Sequence, residues 1–182
     1  YITTAKKQTE RISHLFKDLK VLQRYDSDEY FVERQEFDIA HIAQNMKDWY
    51  SEKAKEKGLE LNIDQHSCKA IGDPGKIEQV MDNLISNALK YTSEGSVDVT
   101  YKTEGSGVRV AIEDTGIGIS DEHLDRLFDR FYRTDKARSR DKGGTGLGLA
   151  VVKSIIKGHG SDIHVESKVG KGTRFWFTLP KG

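Results

Sequence analysis

Two short runs near the middle of the chain carry large apolar residues at every second position and flank one turn at residues 104–107. The apolar positions are Val97, Val99 and Tyr101 before the turn, and Val108, Val110 and Ile112 after it. This alternation predicts a β-hairpin, because every second side chain of a strand faces the same side. A second hairpin is predicted from Ile163 to Ser167 and from Thr173 to Leu179. Two such hairpins need another layer to cover their apolar face.

Helical patterns between the hairpins can supply that layer. Asp38 is the predicted N-cap of a helix that ends near Gly58, and Asp73 followed by Pro74 opens a helix through about Thr92. Leu59, Leu61 and Ile63 alternate as a further strand. Two more helices are expected: a short one capped by Ser120 with Leu124, Leu127, Phe128 and Phe131 on its inner face, and one over Ala150 to Ile156. The order predicts an α/β two-layer sandwich, with helices on one face of a mixed sheet.

The N-terminal 25 residues carry a separate helical pattern. Ile12, Leu15, Leu19 and Leu22 are spaced by three, four and three residues, as in a heptad seam. Such a seam is expected to pack against a partner helix or a second copy of the chain, and the alternative is a helix lying on its own domain. Residues 25–29 form a polar break. We therefore expect two units, residues 1–27 and 28–182.

Composition limits the kinds of partner. The chain of 182 residues has 29 basic and 29 acidic side chains, and this zero net charge argues against a nucleic-acid binder. Cys68 is the single cysteine, so neither an internal disulfide nor a Cys-rich zinc site is expected. The apolar runs are far shorter than the roughly 20 residues of a membrane helix. Because the chain starts inside a helical pattern, we expect it to be a piece of a longer protein.

Asn83 and Asn87 form a polar stripe on the Pro74 helix, because they are four residues apart. Their amide oxygens could complete the shell of a Mg²⁺ ion held mainly by substrate phosphates. Lys90 and Tyr91 lie within a turn of Asn87, and the lysine could meet a phosphate. Two solvated asparagines are the alternative interpretation.

Asp114, Gly116 and Gly118 directly follow the second strand of the first hairpin. Glycines at these positions let the backbone approach a flat ligand, and Ile117 and Ile119 offer apolar walls. A carboxylate at the base of such a site suits the exocyclic amino group of adenine. An ordinary tight turn is the alternative.

A glycine cluster precedes the last predicted helix. Its residues are Gly143, Gly144, Thr145, Gly146, Leu147, Gly148 and Leu149. Exposed backbone N–H groups at a helix start favour phosphate oxygens. Upstream, residues 133–142 hold five basic and two acidic side chains, a net charge of +3, which indicates a lid over anionic phosphates or else a solvated loop.

Taken in order, these motifs resemble the ATP-binding domain of sensor histidine kinases. Residues 83–92 are similar to the N box of that family, 114–119 to the G1 box, 127–133 to the F box, 144–149 to the G2 box and 170–175 to the last glycine motif. The resemblance implies the Bergerat fold, with ATP and Mg²⁺ bound in a lidded cleft.

The resemblance also implies a role for each matching residue. Asp114 would bind adenine with Thr173 nearby, Asn87 would bind Mg²⁺, and Asn83 would support the metal or the phosphates. Asn83, Lys90 and Arg133 are the implied catalytic residues. The implied nucleotide contacts are Asn87, Lys90, Tyr91, Asp114, Gly116, Ile117, Gly118, Ile119, Tyr132, Gly144, Thr145, Gly146, Leu147, Gly148, Leu149 and Thr173.

Residues 1–27 resemble the second helix of the family's dimerisation and phosphotransfer hairpin. None of the six histidines fits the family's phosphoacceptor motif, and His14 lacks its neighbouring acid and downstream proline. The resemblance therefore implies an acceptor histidine outside this chain, a response-regulator receiver domain downstream, a homodimer when full length, and a cytoplasmic piece of a membrane-anchored protein. An ATP hydrolase of the same fold and a nucleotide-sensing scaffold are the alternatives.

Overall fold

The computed structural model describes residues 13, 15, 16, 18–25, 32–133 and 145–182. Several sequence expectations lie outside these residues. They are Ile12 of the seam, His14, the boundary after residue 27, the basic stretch from residue 134 onward, and Gly143 and Gly144 of the glycine cluster.

Seven strands are present in the described part of the chain. They are β1 (Gln35–Asp38), β2 (Glu60–Ile63), β3 (Lys69–Gly72), β4 (Ser96–Glu104), β5 (Gly107–Asp114), β6 (His164–Lys168) and β7 (Gly172–Pro180). Five of them form the main sheet in the order β2-β4-β5-β7-β6. β2 runs parallel to β4 and the other pairs are antiparallel, so the mixed sheet and both hairpins are confirmed.

The hydrophobic core packs against one face of this sheet. Register pairs Val110 of β5 with Tyr101 on one side and Phe177 on the other, and all three side chains are buried. The alternation continues to the end of β5, where Asp114 lies between Val97 and Thr173. The Asp114 side chain therefore starts on the same face as the core, at the edge of the apolar layer.

Helices cover this face. They are α1 (Ile39–Glu56), α2 (Pro74–Tyr91), the short α3 (Asp121–Leu124) and α4 (Gly148–Gly158). The predicted caps are confirmed: Asp38 accepts the Ala40 N–H at 3.0 Å and Asp73 accepts the Lys76 N–H at 3.1 Å. α4 is longer than predicted by two residues at each end. The periodic apolar residues predict only the buried turns of this helix. Its last turn is held by hydrogen bonds from the His159 backbone N–H to carbonyls of the helix, which the apolar pattern does not reveal.

The predicted inner face of the short helix is partly wrong. Leu127 and Phe128 do pack against the core, but the helix ends at Leu124 and Phe131 is 59% exposed. The Phe131 backbone has a φ of +62° and its N–H donates to the Gly146 carbonyl at 2.9 Å. This left-handed turn breaks the helical period, so Phe131 does not continue the inner face.

A two-stranded antiparallel sheet of β1 and β3 was not expected. Each strand has only four residues, and their pairing connects segments that are more than thirty residues apart in the chain. A bridge between Ala70 and Lys181 joins this small sheet to the chain end that follows β7. The small sheet places the N-caps Asp38 and Asp73 at the starts of the two long helices.

The described residues between 13 and 25 are helical. Leu22 is 2% exposed and belongs to the same apolar cluster as α1, α2 and the sheet, and Leu15 packs against that cluster. Phe16 and Leu19 are exposed. This part of the seam therefore lies in part on its own domain, the alternative that the sequence left open. Within the described part of the chain, the helices are too short or too polar to span a lipid bilayer.

Replacing Leu22 with Ala should lower the free energy of unfolding by about 2–4 kcal/mol, because the change leaves a cavity in the shared cluster. Phe16→Ala is the control, since Phe16 is 73% exposed and should change the value by less than about 0.5 kcal/mol. Urea unfolding of both variants measures the difference. Equal values for the two variants would contradict the packing of this helix on the domain.

Candidate functional site

Asp114 is a carboxylate held at the end of a buried strand. Its side chain is almost fully buried, with 8% of the residue exposed. The Gly116 N–H donates to Oδ1 at 2.8 Å. Burial raises the pKa of Asp114 above its usual value, and the backbone N–H groups of Gly116 and Thr173 act in the opposite direction. The carboxylate is thus a fixed hydrogen-bond acceptor whose position does not depend on a flexible loop.

Two glycines allow the backbone around Asp114 to pack very closely. A Cβ atom on Gly172 would lie only 1.8 Å from the Asp114 carbonyl oxygen, and one on Gly118 would lie 2.1 Å from the Lys168 carbonyl oxygen. The Gly170 N–H also donates to the Ile117 carbonyl at 2.8 Å. The turn between β6 and β7 therefore fixes the loop that follows Asp114.

Ser167 on β6 completes this arrangement, and it is not among the residues predicted from the sequence. Its hydroxyl accepts the Ile119 N–H at 2.8 Å, donates to the Gly172 carbonyl at 2.9 Å and lies 2.8 Å from the Thr173 hydroxyl. A single serine in an alternating strand gives no sequence pattern that would predict its hydrogen bonds. Its role becomes visible only in the pairing of Ser167 with Thr173 across β6 and β7.

Asn83 connects the middle of α2 to the start of α4. Its Nδ2 donates to the Gln79 carbonyl at 2.9 Å, which directs Oδ1 away from its own helix. A Cβ atom on Gly148 would lie 2.7 Å from that oxygen. Asn87 is one turn further along α2 and is partly buried. Asn83, the first residue of the predicted stripe, is therefore beside the start of α4 and not on an open helix face.

The C-terminal end of α2 meets the loop that follows Asp114. The Ile117 N–H donates to the Tyr91 carbonyl at 3.3 Å. Burial raises the pKa of the Tyr91 hydroxyl, while the positive charge of Arg133 opposes the shift. The Lys90 ammonium lies 4.9 Å from the centre of the Tyr91 ring. Two cationic side chains thus lie around Tyr91.

The described part of the glycine cluster forms a tight turn into α4. Thr145 Oγ1 accepts the Leu147 N–H at 3.1 Å, and Gly146 has a φ of +73°. Leu147 is fully buried and anchors the turn in the core, whereas Leu149 is only partly buried. The Phe131 N–H bond to the Gly146 carbonyl attaches the predicted F box to this turn.

These contacts link several of the residues that the sequence singled out. A Cβ atom on Gly116 would lie 2.6 Å from the Tyr91 carbonyl oxygen and 2.8 Å from Asp114 Oδ1, and Asn83 lies beside Gly148 at the start of α4. Tyr132 points elsewhere, since its hydroxyl bonds His123 Nδ1 at 2.8 Å. A cavity of about 550 Å³ lies at the opposite end of α2, beside β1 and β3, and none of the predicted site residues lines it.

The arrangement can bind a polar, anionic ligand between α2, the loop after β5 and the first turn of α4. It offers a fixed carboxylate, two amide side chains, nearby cationic groups and a helix N-terminus that favours negative charge. In the described residues, no three His, Cys, Asp or Glu side chains cluster as a metal site. A cation here would need the neutral amide oxygens or oxygens of the ligand itself.

Comparison with known proteins identifies the family of this chain. Residues 72–182 match the family described as histidine kinase-, DNA gyrase B-, and HSP90-like ATPase. Sensor histidine kinase WalK of Bacillus subtilis (strain 168) is 41% identical over 187 residues, which cover 99% of this chain and 30% of WalK. Sensor protein SrrB of Staphylococcus aureus (strain MRSA252) is 39% identical over 178 residues. The chain spans about 30% of the length of these relatives.

Solved structures give the same result over the whole chain. Full-length ShkA in complex with AMPPNP has a TM-score of 0.84 and 27% identity, covering 100% of this chain and 38% of ShkA. The histidine kinase AdeS of Acinetobacter baumannii has a TM-score of 0.83 and 26% identity, covering 100% of this chain and 84% of AdeS.

Gly172→Ala should destabilise the protein several times more than Gly170→Ala. Both glycines have positive φ, which alone costs an alanine about 1–2 kcal/mol. Only at Gly172 does the added Cβ also meet the Asp114 backbone, whereas Gly170 has no atom within 4 Å of that position. Urea unfolding of the two variants measures this difference, and similar losses would mean that the close approach at Asp114 is not maintained.

Proposed function

Because this chain belongs to the histidine kinase-, DNA gyrase B- and HSP90-like ATPase family, as the ATP-binding catalytic domain of a sensor histidine kinase, we propose that it transfers the γ-phosphoryl group of ATP to a histidine outside residues 1–182. The observation that carries this proposal is the convergence of Asp114, the Asn83 side of α2 and the Gly146 turn. These groups lie far apart in the sequence, and the close approaches at Gly116 and Gly148 support their belonging to one site.

Asp114 is proposed to bind the adenine ring. An ionised carboxylate can only accept hydrogen bonds, and the exocyclic amino group of adenine can only donate them. The backbone N–H groups of Gly116 and Thr173 occupy two of its acceptor positions, and the carboxylate keeps further acceptor capacity for an amino group. Thr173 lies opposite Asp114 in the register and contributes a second polar group at the same place.

Mg²⁺ and the phosphates are proposed to bind between α2 and the start of α4. The donor set fits magnesium, because Asn83 and Asn87 present hard, neutral oxygens and the Asn83 oxygen is turned towards Gly148. When bound, Mg²⁺ would neutralise part of the charge on the phosphates. The backbone of Gly146, Leu147 and Gly148 would follow the phosphate chain at the helix N-terminus.

Catalysis by these residues would consist of positioning and electrostatic stabilisation. Lys90 and Arg133 would place positive charge near the transferred phosphoryl group. The nucleophile would be a histidine side chain supplied by a dimerisation domain. Hydrolysis is the weaker candidate, because Asn83 is an amide that cannot take a proton from water and its Nδ2 is bonded to the Gln79 carbonyl.

The wider setting is part of the same proposal. We infer that residues 1–27 belong to the second helix of a dimerisation hairpin and that residues 28–182 form the catalytic unit. We also propose that the full-length protein forms a homodimer and passes the phosphoryl group to a response-regulator receiver domain. This chain would be the cytoplasmic piece of a membrane-anchored protein. This proposal is supported by the family and by the names of the relatives, which are sensor proteins.

Asp114→Asn and Asn87→Ala should each weaken MgATP binding about tenfold to a hundredfold, through loss of a charge-assisted hydrogen bond or a metal ligand. Isothermal calorimetry with and without Mg²⁺ measures this, and only the Asn87 effect should vanish without Mg²⁺. Glu113→Gln is the control, because Glu113 lies next to Asp114 on the opposite face of the sheet and pairs with Arg174. Unchanged affinity in both site variants would rule out this site.

Incubation with ATP labelled at the γ-phosphate should leave this chain unlabelled until a dimerisation segment with an acceptor histidine is added. Label should then appear on that segment as acid-labile phosphohistidine. Asp114→Asn should slow the transfer at limiting ATP about tenfold to a hundredfold, and Glu113→Gln should leave it unchanged. Label on His14, or steady release of phosphate without an acceptor, would contradict the proposal.

A further inference from the structure

His159 is a buried histidine at the C-terminal end of α4, and both of its ring nitrogens are used. Nδ1 lies 2.8 Å from the Ile155 carbonyl oxygen of its own helix. Nε2 lies 3.0 Å from the backbone nitrogen of Asp73, the N-cap of α2. One imidazole ring therefore joins the end of one helix to the beginning of another.

The two partners determine the protonation of this ring. Because a carbonyl oxygen only accepts hydrogen bonds, Nδ1 must carry the hydrogen. Because a backbone N–H only donates, Nε2 must be unprotonated. The ring is therefore neutral and in a single tautomer. Burial also lowers the pKa of His159 below its usual value. A second proton would remove the acceptor that the Asp73 N–H requires.

The His159–Asp73 contact and the proposed nucleotide site lie at opposite ends of the same helix pair. α2 and α4 pack antiparallel, since Asn83 of α2 faces Gly148 at the start of α4 and Asp73 faces His159 at its end. Eleven residues of helix between Gly148 and His159 span about 16 Å. A Cβ atom on Gly72 would lie 3.1 Å from the imidazole, so little free space remains around the ring.

We propose that neutral His159 is a positioning residue for the nucleotide site. It holds the lengthwise register of α4 against α2 and thereby keeps the first turn of α4 opposite Asn83. The ring touches no ligand and acts at the far end of the same helix. This inference rests on the proposed function, because it concerns the site between these two helices.

The charged groups that face the ring act in opposite directions. The Asp73 carboxylate favours a protonated ring, and the Arg34 guanidinium disfavours it. Arg34 also donates to the Gly158 carbonyl at 3.4 Å, so it belongs to the same helix end. Burial outweighs the Asp73 charge, and the neutral form is retained.

Two substitutions separate the two bonds of the ring. His159→Gln can place an oxygen where Nε2 lies and keep an acceptor for the Asp73 N–H. His159→Asn can keep the donor to the Ile155 carbonyl but cannot reach Asp73. We expect His159→Asn to weaken ADP binding about threefold to tenfold in calorimetry with excess Mg²⁺, and His159→Gln to restore most of the affinity.

The control is Tyr101→Phe, which removes a buried hydroxyl that donates to the Asp64 and His66 carbonyls, away from the α2–α4 contact. It should lower stability but leave ADP affinity unchanged. If the wild-type chain does not bind ADP, the proposed function fails. If the wild-type chain binds ADP and His159→Asn binds it equally well, or His159→Gln gives no rescue, the role of His159 is contradicted.

The pH profile supplies a second measurement. Because the folded state disfavours the charged ring, its contribution to stability is complete above the usual pKa of 6.5 and is lost as the pH falls through the lowered folded value. The wild-type chain should therefore lose more unfolding free energy than His159→Gln over this acidic range. Identical profiles for the two proteins would show that the neutral ring is not required.

Discussion

Burial of one side of α2 is the constraint on which the rest of the site depends. Ile77, Met81 and Leu84 have almost no exposed surface, so the helix cannot rotate about its axis without exposing apolar area. This fixed orientation sets the direction of the neighbouring polar stripe. Asn83 then lies beside the start of α4, and Tyr91 lies beside the loop after β5. The polar site is a consequence of how the apolar face is packed.

Elements with strong local signals were predicted well from the sequence. Both hairpins follow from large apolar residues at alternate positions on either side of a turn, and α1 and α2 follow from a capping aspartate before a helical period. The convergence of Asp114, Asn83 and Gly146 was predicted only through the order of the motifs, because no local pattern gives a distance between them. The structure adds the close approaches that link them, at Gly116 between Asp114 and Tyr91 and at Gly148 beside Asn83.

Features that depend on a single distant partner were not predicted. β1 and β3 are too short for a recognisable sequence pattern, and they become strands through pairing with each other. Ser167 and His159 are isolated polar residues whose partners come from other elements. Phe131 was placed on an inner face because its spacing fits a helix, but the Gly146 carbonyl holds its backbone in a left-handed turn.

The main sheet ends in two very short strands, β2 with four residues and β6 with five. The side chains that alternate outward on β6 are His164, Glu166 and Lys168, so the rim of the sheet is polar and charged. An unpaired rim of this kind is a poor template for adding a strand from another molecule. Within the described residues, these short and charged edge strands therefore disfavour edge-to-edge pairing between copies of the chain.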